Sequence, residues 1–115
     1  MRKDQNMKTI VMLTASLLVA SGMSVGAADA KALWDANCAH CHGKTGNADT
    51  KMGKTLNAKD LTNPSVQAGF TDAKATQSIK EGVKENGKTT MKAFAGKLTD
   101  DQIKALVAYV RTLKK

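Results

Sequence analysis

The stretch "DANCAHCHGKTG", Asp35 to Gly46, decides how this chain folds and what it carries. It holds both cysteines of the chain, Cys38 and Cys41, and both histidines, His40 and His42, within five positions. Three chemistries use such a cluster. Cys-x-x-Cys-His is the attachment signature of c-type haem. There, two thiols add across the porphyrin vinyl groups, and the adjacent histidine reaches the iron from one face. One helical turn brings both sulfurs to the same porphyrin edge. A zinc site needs four ligands, usually as two separated pairs, and no second pair exists here. A redox dithiol usually opens a helix in a βαβ context, whereas this motif closes a helix and no stretch of the chain alternates as a strand. His40, between the thiols, is expected to be exposed and to bind nothing.

The start of the chain favours haem. "MRKDQNMK" is short and basic, Thr9 through Ala28 carry no charge, and small residues gather at "VGAADA". That order describes a secretory signal peptide, expected over residues 1–28 with cleavage after Ala27, Ala28 or Ala30. An uncleaved anchor would want roughly 20 apolar residues, and Thr14, Ser16, Ser21, Gly22, Ser24 and Gly26 dilute this run. Covalent haem attachment in bacteria takes place outside the cytoplasm, so an exported Cys-x-x-Cys-His is a stronger signal than the motif alone. The expected location is the periplasm, without stable membrane insertion after cleavage.

The remaining unit, residues 29–115, is one small domain with about +6 charge, down from +8 for the whole chain. Its aromatics are only Trp34, Phe70, Phe94 and Tyr109. A domain of this size buries only about 60–65% of its unfolded surface, so it usually needs a staple such as a cofactor.

Helical signals run through the domain. "DAKALWDANC" is amphipathic, with Asp29 as the expected N-cap and Ala30, Leu33, Trp34 and Asn37 on one face. Gly43 to Ala58 is polar and reads as loop. Asn63 and Pro64 open a short helix that Gly69 closes. Thr71 caps a helix from Asp72 to about Val83, and "KENGKTTMKAFAGK" reads as loop. Thr99-Asp100-Asp101-Gln102 has capping-box spacing, with Ile103, Leu106, Val107, Val110 and Leu113 as one stripe and Arg111, Lys114 and Lys115 at the C-terminal end. The expected class is all-α, with one or two helices between the terminal ones.

Haem iron of this kind takes a second axial ligand, and methionine raises its potential relative to histidine. Past the leader there are two methionines, Met52 and Met91. The ligand must come from the opposite haem face, which requires the chain to wrap round first. Met91, next to the last helix, has that room; Met52 is expected to be a flexible filler.

With these features in order, residues 29–115 resemble the class I cytochromes c, of the small soluble bacterial single-haem kind. "ALWDANCAHCHG" is similar to the first helix and attachment site, and "TTMKAFAGKLTDDQIKALVAYVRTL" to the methionine loop and last helix. The resemblance implies one haem c per chain, joined through Cys38 and Cys41, with its iron held by His42 and Met91. It implies crossing terminal helices that meet through Ala30 and Trp34 against Leu106 and Tyr109. It also implies a backbone carbonyl for the other His42 ring nitrogen, from between Leu56 and Pro64. The family often has proline after the ligand methionine, where this chain has Lys92.

Two occupied axial positions favour electron transfer over oxygen or peroxide chemistry. A haem shell of Leu33, Trp34, Phe70, Ile79, Phe94, Leu98, Leu106 and Val110 is expected. The expected function is a monomeric, non-enzymatic electron carrier. The alternatives are a haem subunit of a larger oxidase or dehydrogenase, and a peroxidase-like or ligand-binding protein. The positive charge favours redox partners with acidic docking surfaces, with Lys44, Lys51, Lys54, Lys88, Lys92 and Lys97 near the haem edge. Dispersed lysines without interleaved aromatics argue against nucleic acid.

Overall fold

A computed structural model describes residues 25–115. The expected leader lies outside them except for its last four residues. Of those, Ala27 and Ala28 open the first helix, α1 (Ala27–Asn37), behind Gly26. Asp29 is therefore not the cap but an acidic residue of the first turn, where it still favours the helix N-terminus. The two alanines, strong helix formers, carry the helix upstream of it. On its inner face Ala30 and Trp34 are buried.

Cys38 joins α1 to a one-turn helix, α2 (Ala39–His42). Gly43 stops it with φ +80, a left-handed angle that side chains disfavour. The segment read as loop from Gly43 to Ala58 contains a further helix, α3 (Lys51–Thr55), capped by Thr50. Two helices follow as the sequence implies. α4 (Pro64–Ala68) is capped by the Asn63 side chain and has Pro64 in its first turn. α5 (Asp72–Glu81) is capped by Thr71 and ends at Gly82.

In this mostly helical fold, the segment read as loop after α5 holds a small hairpin. β1 (Val83–Glu85) and β2 (Lys88–Met91) form an antiparallel hairpin, with an irregularity between Val83 and Lys84. Asn86 and Gly87 make the turn, both with positive φ, +51 and +78. Positive φ at both central residues suits the right-handed twist of a tight hairpin, hence the Asn-Gly preference. Beyond β2 the chain folds back on the end of α5. Phe94 N–H donates to the Ile79 carbonyl at 2.9 Å and Ala95 N–H to the Lys80 carbonyl at 3.1 Å. These bonds satisfy carbonyls that a helix end leaves open.

The last helix, α6 (Asp100–Thr112), has the full capping box between Thr99 and Gln102. It packs against α1 and α5. Trp34 meets Tyr109 with ring centroids 5.6 Å apart, and Ala30 and Leu106 are buried, as the terminal crossing requires. The core comprises Trp34, Leu61, Ile79, Phe94, Leu98, Ile103, Leu106, Val107 and Val110. Leu33 and Phe70, expected in the apolar shell, are half-buried against it.

One polar lock ties the middle of the chain to α6. Gln67 is buried, and its amide donates to the carbonyls of Leu61 at 2.7 Å and Val110 at 2.9 Å. Arg111 donates to the Gln67 side chain and carbonyl, the Phe70 carbonyl and the Asp72 carboxylate. Its guanidinium lies over the Phe70 ring, 4.3 Å from the centroid. The backbone N–H of Lys115 donates to the Thr62 carbonyl at 3.0 Å.

Candidate functional site

The turn from Cys38 to Gly43 is held at nearly every carbonyl. Cys38 accepts from His42 N–H at 2.9 Å, Ala39 from Gly43 N–H at 2.8 Å and His42 from Ala48 N–H at 2.8 Å. Gly43 accepts from the indole N–H of buried Trp34 at 3.0 Å, which fixes the end of the turn to α1. Cys41 accepts from the Thr50 hydroxyl at 2.6 Å. His40, whose carbonyl is not among these, is exposed.

The thiols of Cys38 and Cys41 are both free and half-buried, one helical turn apart. Burial, with the neighbouring Cys41 adding to it, pushes the Cys38 thiol up to about 11. His42 is half-buried, and its ring lies 5.6 Å from that of Trp34 at a 39° tilt. Its Nδ1 is fully buried without a partner in hydrogen-bond geometry. Burial holds the His42 imidazole below its ordinary pKa, with the Lys59 backbone partly opposing the shift. Lys59 falls between Leu56 and Pro64, where the sequence expects the carbonyl. With Nδ1 buried inside the protein, Nε2 is the ring nitrogen left for a metal.

Met91, at the end of β2, is half-buried against the same core cluster that Cys38 touches. Met52, in α3, is half-buried but does not join that cluster. Ala39, Val66, Phe70 and Ala75 also border it half-buried. The donor set therefore fits haem. Two thiols could take its covalent bonds, and a histidine and a methionine sulfur could hold its iron beside an apolar wall. Among the described residues no three His, Cys, Asp or Glu side chains gather as a metal site.

Sequence reasoning missed two parts of the site. Thr50 gives no sign in the sequence of reaching Cys41. Gly82 lies, with φ +76, where a Cβ would come within 2.6 Å of the Met91 carbonyl. A glycine ending a helical pattern was the available signal for the second.

The chain is similar to several known proteins. Residues 26–110 match the family model described as cytochrome c oxidase, cbb3-type, subunit III. The chain is 33% identical over 111 residues to cytochrome c6 of Synechococcus sp., covering 90% of this chain and 91% of that one. It is 39% identical over 80 residues to cytochrome c6 of Tetradesmus obliquus, covering 70% of this chain and 82% of that one. Among solved structures, the KustC0563 c-type cytochrome superposes with a TM-score of 0.65 at 34% identity, covering 75% of this chain and 98% of that one. The chain thus belongs to the small class I c-type cytochromes, electron-transfer proteins whose iron-containing haem c is covalently bound.

Proposed function

We propose that this cytochrome is a monomeric, periplasmic, non-enzymatic one-electron carrier, exported by residues 1–28 and working as residues 29–115. Cys38 and Cys41 would hold the haem covalently, and His42 Nε2 and the Met91 sulfur would bind its iron. The observation that carries the ligand assignment is that Met91 and Cys38 border one apolar cluster. When bound, haem c supplies the ferrous/ferric couple. The chain's own residues do the rest. Trp34 and the held carbonyls fix the turn that presents His42. Packing against Trp34 orients the ring, and a fixed imidazole is a better ligand. Gly82 lets the strand bearing Met91 lie close against the end of α5. The apolar wall would exclude water from the bound group, and two protein ligands on its iron would favour electron transfer over oxygen or peroxide chemistry.

Lys44, Lys51, Lys54, Lys88, Lys92 and Lys97 are all exposed. A positive surface of this kind steers association with acidic redox partners and weakens with salt. No helix among the described residues is long and apolar enough to cross a membrane. The matched family description favours a second reading, a haem subunit of a larger oxidase. A stoichiometric partner on purification would support it.

The test is ligand substitution. Met91→Ala should abolish the weak long-wavelength band of iron–sulfur ligation in the oxidised spectrum, and Met52→Ala should leave it in place. The opposite pattern would transfer the ligand role to Met52.

A further inference from the structure

We propose that Thr50 is a positioning residue of the haem-attachment turn, its hydroxyl holding the Cys41 carbonyl and through it the orientation of His42. This rests on the assignment of Cys38, Cys41 and His42 above. The carbonyl in question belongs to the peptide that joins Cys41 to His42, so its direction sets where the imidazole starts. Among the bonds holding the turn, this is the one made by a hydroxyl. The hydroxyl both donates and accepts. It donates to Cys41 O at 2.6 Å and accepts from Gly53 N–H at 2.8 Å. Its proton therefore points at the carbonyl, not at solvent.

The close approach is built into α3. A Cβ at Gly53 would sit 2.4 Å from the Cys41 carbonyl oxygen and 2.6 Å from that of Ala48. These are backbone atoms that cannot step aside. Glycine there brings the first turn of α3 against α2, and Thr50 converts that proximity into a bond. Ala48, whose N–H holds the His42 carbonyl, has φ +59, so the loop from Gly43 to Thr50 is closed at both ends on the attachment turn.

The consequence is electrostatic as well as steric. Hydrogen bonding around ligands is one of the levers that set a haem potential. Without the hydroxyl proton, the oxygen of the peptide that joins Cys41 to His42 loses the donor that offsets its partial negative charge. That favours ferric over ferrous iron and lowers the potential.

The experiment compares holoproteins carrying Thr50→Val, which keeps the shape, Thr50→Ala, which is smaller, and Thr50→Ser, which keeps the hydroxyl. Thioether formation is read by peptide mass, the midpoint potential by visible titration, and stability by thermal unfolding. Val and Ala are expected to lower the potential, and Ser to restore the wild-type value. Reduced thermal stability with an unchanged potential in Val and Ala would overturn the proposal, since a purely structural contact behaves that way. A shift in Ser as large as in Val would also overturn it. A wild type with no thioethers at Cys38 and Cys41 would overturn the underlying assignment too, an outcome distinct from failure of the clamp alone.

Discussion

Gly82→Ala should be among the most damaging single-methyl additions to this protein, and Gly87→Ala is its internal control. Both glycines have left-handed φ, +76 and +78. Gly82 combines it with ψ −179, a region open essentially to glycine alone, where another residue costs about 1–3 kcal/mol. There the similarity to Gly87 ends. A Cβ at Gly87 meets nothing within 4 Å, whereas at Gly82 it meets Met91 O at 2.6 Å, Ala93 N at 2.9 Å and Lys92 C at 3.1 Å. All three are backbone atoms of the segment carrying Met91. Overpacking adds about 1–3 kcal/mol, so Gly82→Ala is expected to cost about 2–6 kcal/mol in total. A domain has about 5–15 kcal/mol of stability to lose. Gly87→Ala pays only for its backbone angle, about 1–2 kcal/mol. Denaturant unfolding of the holoproteins gives the stabilities, and the oxidised visible spectrum reports the iron–methionine bond. The expected result is a larger loss in Gly82→Ala, with a weakened iron–sulfur band, and an unaltered band in Gly87→Ala. Equal losses in the two, with both bands intact, would refute the claim that Gly82 seats the methionine strand.

Three further outcomes follow from the same geometry. Gln67→Ala removes the donor to two buried carbonyls and an acceptor of Arg111. At about 1–3 kcal/mol for a buried group left unpaired, a loss of about 2–4 kcal/mol in urea unfolding is expected. Thr99→Ala breaks the capping box of α6 and should cost about 1 kcal/mol, read the same way. The hydroxyl and then the backbone N–H of Thr62, with the Lys115 charge, hold the Asp60 carboxyl below its ordinary value of 3.8. A carboxyl depressed by folding stabilises the fold above its unfolded pKa, and that contribution disappears as pH falls through the lower folded value. A carbon-13 titration should place the Asp60 midpoint below 3.8, and Thr62→Val should raise it.

The parts legible in the sequence were those written in local chemistry. The caps at Asn63, Thr71 and Thr99 each act on a backbone N–H two or three residues on, so short spacing was enough to find them. The attachment turn was legible because its spacing is the chemistry. The hairpin was not, although Asn86-Gly87 is a strong turn signal. Its strands are short and largely exposed, so no apolar alternation marks them. α3 escaped for a related reason: its buried residue is Gly53, which contributes closeness instead of an apolar stripe. The Gln67–Arg111 lock was not legible either, because its partners lie up to 44 positions apart. The choice of Met91 over Met52 came from a wrapping argument, and the packing of Met91 on the core supports it.

The central claim is most directly tested by a redox titration of the purified holoprotein, followed in the visible and scaled to its covalent haem content. The account predicts one haem per chain, joined through Cys38 and Cys41, and a single reversible one-electron transition with the iron–methionine band present when oxidised. A holoprotein without covalent haem, with more than one transition, or with a spectrum that changes on adding small iron ligands while Met91 is intact would contradict it.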